Sequence, residues 1–384
     1  MSAKTTNLRD RLKKIDLQSY TMVFILILVV VMFQIIVPGG IFLSSRNLSN
    51  LFRQLSITGV ITMSTMLMIC SGNFDLAVGS IVALVGGIMA ILQVQHGWST
   101  PAVIAVGVAS SVIVGLWQGF WVAYRRVPSY IVTLGDTLLL RGAYLTITKG
   151  ITINPMKPDF ESIMITYLPG WLGYVLAVIA CAAAVFIVFN QRKNQIKYNL
   201  RADKMWMVAA KIVIACALII AFVISMNNYE GIPLSVMILV IVALAFQVIT
   251  TKTRFARRVY AIGGNPEAAK LAGIDVRKHV CSLYVINAVM CALSAVLLTS
   301  RLNAAVAAAG TNYEMDAIPA CVVGGTSLSG GKGTIMGACV GALLIACLVN
   351  GMSLLNISDY VQRIVKGMIM ILAVWFDVAN QTKK

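Results

Sequence analysis

The sequence predicts an all-α membrane protein, a polytopic bundle of about 10–12 transmembrane helices with short broken or re-entrant segments. Of the 384 residues, 59% are apolar and only 12% are charged, whereas an average soluble domain has about 25% charged residues. At roughly 20 residues per crossing, the apolar residues suffice for about eleven spans. Basic residues concentrate in the short breaks between apolar runs, which is typical of cytoplasmic loops.

The same pattern excludes several other classes of protein. The net charge of +17 resides in these breaks, so it does not indicate nucleic-acid binding. Eight cysteines without a C-x-x-C pair and only two histidines leave no ligand set for a metal, and the thiols are expected to pack as small apolar groups. A P-loop would need glycine in place of Thr326 and serine or threonine in place of Gly333. We therefore expect a non-catalytic chain that binds no metal, cofactor or nucleic acid.

The apolar runs define the predicted spans in order. They cover approximately residues 21–38, 55–70, 77–94, 101–123, 129–147, 168–190, 208–226, 234–250, 282–300, 315–329, 334–350 and 361–377. The run at 315–329 is too short and too rich in glycine for a regular span. With twelve crossings, both termini lie in the cytoplasm, and the cytoplasmic breaks hold 21 of the 31 basic residues.

These spans give a simple domain organisation. Residues 1–20 are expected to form a cytoplasmic tail, residues 21–378 one transmembrane domain, and residues 379–384 a second cytoplasmic tail. A long basic loop at 251–281 interrupts the transmembrane domain on the cytoplasmic side.

Asp75 stands in the break between the second and third spans, where an ionisable residue is a candidate functional group. The preferred interpretation is an N-cap, in which the carboxylate accepts from the first free N–H groups of a helix that starts near Leu76. Contact with a solute is the alternative, for Asp75 together with the nearby Ser80. Asp136 and Arg141 lie five residues apart on the fifth span, so each is expected to pair with another span rather than with the other.

Glycine forms two patterns late in the chain. A stripe with G-x-x-x-G spacing predicts close helix packing, at Gly333, Gly337 and Gly341. A glycine-rich break precedes it, at Gly324, Gly325, Thr326 and Ser327. Irregular backbone at membrane depth needs protein or a water-filled cavity around it. The break is therefore interpreted either as lining a path through the membrane or as a tight cytoplasmic turn.

The basic loop contains the signals of a short capped helix. Asn265 can cap it, Pro266 suits the first helical position, Glu267 favours the positive end of the helix dipole, and Gly273 stops it. Such a helix in a cytoplasmic loop is interpreted as a docking element. The alternative is a surface helix that touches only lipid headgroups.

This helix resembles the coupling helix of ABC-importer permease subunits, which sits in a groove of the ATPase. Five ordered stretches are similar to the monosaccharide permeases of bacterial importers for ribose, xylose, galactose and arabinose. They are residues 46–51, 75–80, 128–135 with Arg141 and Gly142, 260–265, and 324–331. The resemblance covers about residues 44–378. The turn at 121–129 and the two spans joined by residues 191–205 resemble the xylose type, whereas the Asn73-Phe74 pair and the alanine-rich stretch at 304–309 depart from the family and leave the sugar open.

The resemblance implies how the chain works and with what. It implies a homodimer around a central path in the bacterial inner membrane, among membrane lipid, with two ATP-binding cassettes, often fused, docked from the cytoplasm. It also implies a sugar-binding protein outside, and ATP bound by the partner rather than by this chain. The residues expected to couple to the ATPase are Arg257, Gly263, Gly264, Asn265, Glu267, Ala268, Ala269, Leu271 and Gly273. The alternative function is an ion-coupled secondary transporter using Asp75 and Asp136, which leaves the capped helix without a role.

Overall fold

The computed structural model describes residues 17–198 and 204–381, and within these ranges the chain forms fifteen α-helices and no β-strand. The predicted tail at 1–20 falls almost wholly outside the described residues, as does the end of the tail at 379–384. The helices are α1 Leu17–Ile36, α2 Ser45–Cys70, α3 Val78–Ala90, α4 Thr100–Gly119, α5 Ser129–Thr148, α6 Pro158–Ile165, α7 Gly170–Lys197, α8 Met205–Asn227, α9 Leu234–Lys252, α10 Arg254–Gly264, α11 Pro266–Leu271, α12 Val276–Leu302, α13 Glu314–Val323, α14 Ile335–Leu354 and α15 Asp359–Gln381. One π-helical segment extends α3 to Gln95, and a second extends α4 to Tyr124.

Eight of the described helices are long and apolar enough to cross a membrane, which agrees with an all-α polytopic bundle. They are α2, α3 and α4 with their π-helical extensions, α7, α8, α9, α12 and α14. Helices also form over the predicted spans at 21–38, 129–147 and 361–377, although they are not among these eight. The predicted crossing at 315–329 is a ten-residue helix, α13, followed by irregular backbone.

Helix α2 occupies the centre of the bundle. From Leu55 to Cys70 almost every side chain is buried, so this part of the helix is enclosed by other helices on all sides. Helix α12 packs along α2, α3 and α4, and α13 and α14 cover another side of α2. The polar residues of α2 therefore lie deep inside the protein, where they need partners from neighbouring helices.

One end of the bundle carries most of the basic residues of the breaks, and we call it the basic end. Helices α4, α7 and α9 finish there, and Arg125, Arg126 and Lys252 lie at or just beyond the ends of α4 and α9. The loops that follow α3, α5, α8 and α12 lie at the opposite end. The two ends of the bundle therefore differ in charge, as expected of a membrane protein with basic loops on one side.

Candidate functional site

Asp75 lies at the centre of a buried polar cluster. Its side chain is only 2% exposed. Oδ2 accepts a hydrogen bond from Asn287 Nδ2 at 2.7 Å, and Oδ1 accepts from Gln118 Nε2 at 3.4 Å. Asn287 accepts in turn from Ser64 Oγ at 2.7 Å. The cluster thus joins the break after α2 to α2, α4 and α12, and it supplies the donors that a buried carboxylate requires.

The predicted N-cap at Asp75 is wrong. Helix α3 begins at Val78, and its N-cap residue, Ala77, makes no side-chain capping bond. Asp75 instead accepts from the backbone N–H of Ala77 at 2.9 Å, two residues along, as in an Asx turn. The helix starts later than expected because the chain stays non-helical through Ala77 while the carboxylate turns inward to Asn287. Sequence reasoning missed Asn287 and Gln118, although a polar amide within an apolar span was a usable signal.

Ser80 and Thr137 tie the start of α3 to α5. Ser80 Oγ donates to the backbone carbonyl of Thr137 at 3.0 Å, and Thr137 Oγ1 donates to the carbonyl of Leu76 at 3.0 Å. Asp136, next to Thr137, accepts from Trp117 Nε1 of α4 at 3.2 Å. These bonds connect the surroundings of Asp75 to a fourth helix, α5.

Arg141 holds the alanine-rich loop that follows α12. Its guanidinium donates to the carbonyls of Ala307 and Ala309, the latter at 2.8 Å, and Tyr144 Oη donates to the carbonyl of Val306 at 2.7 Å. Together with the Trp117 bond of Asp136, this confirms that Asp136 and Arg141 pair with other elements and not with each other. Arg141 therefore holds the loop after α12 in place, at the end of the bundle that lies opposite the basic end.

Helix α11 has the caps that the sequence predicts. The Asn265 side chain accepts from the backbone N–H of Ala268 at 3.0 Å, and Pro266 occupies the first helical position. At the other end Gly273 has φ +80°, and the N–H of Ile274 bonds to the carbonyl of Ala269 at 3.1 Å. This is a Schellman motif, which requires a left-handed residue at the Gly273 position.

Helix α11 presents one face to solvent and another to the bundle. Leu271 is 89% exposed, and Glu267 and Ala268 are also exposed. Ala269 is buried, so this member of the predicted coupling set holds the helix in place rather than presenting a surface. The exposed Arg257 lies on the preceding helix, α10.

After α11, Asp275 caps α12. Its side chain accepts a hydrogen bond from the backbone N–H of Lys278 at 3.1 Å, and this bond lowers the pKa of the Asp275 carboxyl.

Gly263 brings α10 into direct contact with the end of α2 and with the glycine-rich break. A side chain at Gly263 would overlap the carbonyl oxygen of Cys70 and lie 2.7 Å from the backbone nitrogen of Gly331. The N–H of Gly331 donates to the same Cys70 carbonyl at 2.9 Å, and Tyr260 Oη donates to the carbonyl of Gly333 at 2.9 Å. At the neighbouring Gly264, no other part of the chain lies within 4 Å of the position that a Cβ would take. Of the two glycines, only Gly263 is required for this close approach.

The break that follows α13 is a compact turn enclosed by protein. Thr326 and Ser327 are buried, and the N–H of Ser327 donates to the carbonyl of Lys332 at 3.0 Å. Gly325 has φ +85°, which favours glycine. Beside this turn, an open groove of about 920 Å³ runs along the basic end, and its walls include Asn73 and Glu267. The break, α11 and the residues just before Asp75 therefore border one cleft.

The glycine stripe packs within the chain. A side chain at Gly337 would overlap the carbonyl of Gly324, and one at Gly341 would overlap the carbonyl of Ala320. Helix α14 therefore lies unusually close to the end of α13. Gly333 precedes α14 and packs against Cys70 and Met66 instead, so only two of the three glycines lie on the helix.

A second pocket, of about 460 Å³, lies at the end opposite the basic end. Arg46, Arg53 and Tyr167 line it, and Arg53 donates to Tyr167 Oη at 3.3 Å. Arg301 donates nearby to Asn50 Oδ1 at 3.2 Å. Within the described ranges, none of these three arginines forms an ion pair with a carboxylate. Sequence reasoning missed this cluster, although three arginines on the side with few basic residues were a visible exception.

Comparison with known proteins assigns the chain to a family. Residues 47–374 match the family model described as "Branched-chain amino acid transport system / permease component". The chain is 41% identical to the xylose transport system permease protein XylH of Haemophilus influenzae over 97% of this chain and 99% of that protein. It is 39% identical to XylH of Escherichia coli K12 over 97% and 94% of the two chains.

The ribose permeases are more distant relatives. The ribose import permease protein RbsC of Escherichia coli K12 is 32% identical over 88% of each chain. No solved structure matches the chain. The fold, the match over most of its length and the full-length relatives agree, and the chain belongs to the branched-chain amino acid transport system / permease component family of multi-pass membrane proteins.

Proposed function

We propose that this chain is the permease subunit of an ATP-driven importer in the bacterial inner membrane, and that its substrate is xylose. The observation that carries the proposal is the 39–41% identity to two xylose permeases along 97% of the chain. Identity to the ribose permease is lower and covers less of the chain. The chain itself is non-catalytic and binds no cofactor, because ATP is bound by a partner subunit.

The partner ATPase docks on α11. Exposed Leu271 offers an apolar anchor and Glu267 offers a charge beside it, on a helix whose ends are fixed by Asn265 and Gly273. A small helix held at both ends transmits force better than a mobile loop, because little of a displacement is lost in local rearrangement. The contacts at Gly263 favour transmission of this movement into the bundle, because α10 abuts backbone atoms there and not flexible side chains.

Movement of α10 reaches the Asp75 cluster through Cys70. The Cys70 carbonyl touches Gly263 and accepts from Gly331, and α2 ends at this residue. Five residues later Asp75 binds Asn287 of α12. We infer that closure of the ATPase shifts the end of α2 with the glycine-rich turn and thereby rearranges the hydrogen bonds of Asp75. In this mechanism Asp75 positions helices and is not a carrier of protons.

The basic end faces the cytoplasm in this proposal, with both termini on that side. The arginine pocket then faces outward and receives carboxylates of a sugar-binding protein. Three cations without a carboxylate partner among the described residues favour a partner with acidic side chains at its docking surface.

Helix α5 is proposed to face a second copy of the chain across the path. Its outer face combines apolar side chains such as Leu138, which is 78% exposed, with Gly135 and Gly142, where no other part of the chain lies within 4 Å of the position that a Cβ would take. Open glycines on an exposed helix allow the close approach of another helix. The opposite face of α5 binds Ser80 and therefore adjoins the Asp75 cluster.

The proposal is tested by expression with its ATPase and binding protein in bacteria that lack pentose importers. Labelled xylose is expected to accumulate, and a tenfold excess of ribose should compete weakly. Accumulation of ribose in preference to xylose would contradict the substrate, and accumulation without any ATPase subunit would contradict the mechanism.

A further inference from the structure

The α7–α8 hairpin is attached to the bundle mainly at the end opposite the basic end. Phe222 of α8 packs edge-on against Phe52 of α2, with ring centroids 4.8 Å apart, and Val223 and Met226 are buried beside it. Toward the basic end the large side chains are exposed, with Phe186 at 71% and Trp206 at 68%. This half of the hairpin therefore presents its surface to the surrounding membrane.

A groove of about 350 Å³ lies on α7 at this exposed half. Phe186, Phe189 and Ile196 make its apolar part, and Arg192 and Lys193 make its cationic part. The Nε atom of Arg192 is buried and has no hydrogen-bond acceptor. Within the described residues, neither Arg192 nor Lys193 forms an ion pair with a carboxylate. The groove thus combines an apolar wall with a cationic group that has no carboxylate partner among the described residues.

The surrounding sequence has the same charge. Residues 170–227 contain six basic residues and a single acidic one, Asp203. Clusters of Lys and Arg beside a transmembrane helix attract anionic lipids. The ordinary bias of cytoplasmic loops toward basic residues explains the number of charges, but it does not explain a buried guanidinium nitrogen beside an apolar groove.

We propose that this groove binds one anionic phospholipid of the membrane. The headgroup phosphate accepts hydrogen bonds from Arg192 and Lys193, and an acyl chain lies along Phe186, Phe189 and Ile196. A phospholipid fits because the apolar wall continues into the exposed, membrane-facing surface of the hairpin, which an acidic soluble protein does not reach. The site is independent of sugar transport and lies away from the Asp75 cluster.

Native mass spectrometry of the purified full-length chain tests the site, by titration with phosphatidylglycerol and with phosphatidylcholine. Phosphatidylglycerol is expected to bind the native chain more tightly. The double variant R192Q/K193Q should lose about 25-fold in affinity for phosphatidylglycerol, roughly fivefold for each charge, and little for phosphatidylcholine. The control K383Q/K384Q removes the same charge from the terminal tail and should stay within about twofold of the native chain.

Two results would overturn the proposal. Equal losses in both double variants would mean that only general charge attraction acts, and equal binding of the two lipids to the native chain would mean that the groove selects no anion. F186A/F189A keeps both cations and alters only exposed or half-buried side chains. It should weaken phosphatidylglycerol binding several-fold, and unchanged binding would remove the acyl-chain part of the site. Gel filtration of each variant establishes that it is folded before titration.

Discussion

Gly263 and Gly264 are adjacent in α10, and their replacement by alanine is expected to have opposite effects. At Gly263 a Cβ would overlap the carbonyl oxygen of Cys70 and approach the backbone of Gly331, so backbone atoms on two other elements must move. Overpacking of this kind costs about 1–3 kcal/mol. Alanine returns up to about 1 kcal/mol through its higher helix propensity. With the full return of about 1 kcal/mol, the expected net loss of stability for G263A is about 0–2 kcal/mol.

G264A is the matched control. No neighbouring atom lies within 4 Å of the position that a Cβ would take there, so the helix-propensity term acts alone. We expect G264A to match the native chain or to exceed its stability by up to about 1 kcal/mol. The two variants thus change the same atoms one residue apart and separate packing from propensity.

Two assays report the outcome. Denaturant unfolding of the purified variants side by side gives the difference in free energy, and reconstitution with the ATPase gives the sugar transported per ATP hydrolysed. If α10 relays the motion of the ATPase to Cys70, G263A lowers this ratio and G264A does not. Equal stability and equal coupling ratios in the two variants would refute the close contact and the relay together.

The remaining predictions concern the docking helix, the glycine stripe and the buried cluster. E267K places a cation at the N-terminus of α11, so copurification with the ATPase and uptake should fall while the membrane level of the chain stays normal; normal copurification would exclude α11 as the docking site. G337L forces α14 away from α13, so the folded yield in detergent should fall severely, and a native yield with normal uptake would contradict the packing. D75N keeps acceptors and donors at the break and should retain much uptake, whereas N287L removes a donor from a buried carboxylate and should cost about 1.5–3 kcal/mol in unfolding measurements; a folded but inactive D75N would favour a titrating role.

Local signals in the sequence were sufficient for α11. Asn265, Pro266 and Gly273 act on backbone groups within a few residues of themselves, so their effect does not depend on the rest of the fold. The division into spans followed from composition for the same reason, because each long apolar run must satisfy its own backbone in the membrane. The family resemblance added the function that these local signals cannot specify.

Sequence reasoning failed where a residue's partner lies far away in the sequence. Asp75 and Asn287 are separated by 212 positions, and no local pattern relates them. An N-cap was therefore the best local explanation for Asp75, although the structure uses its carboxylate to join helices. The contact of Gly263 with Cys70 has the same origin, since it depends on how α10 docks on α2. The three arginines at the opposite end stand out in the sequence, but their grouping does not, because it depends on the fold that places Arg301 beside Asn50.

The central claim is that this chain imports a sugar with energy from ATP bound by a partner. Proteoliposomes that contain the chain, its ATPase and its binding protein measure this directly, with labelled xylose outside and either ATP or a proton gradient imposed. The account predicts uptake that requires ATP hydrolysis and the binding protein, and that is unchanged when the proton gradient is abolished. Uptake driven by the gradient in the absence of ATP would contradict it and would establish an ion-coupled transporter instead.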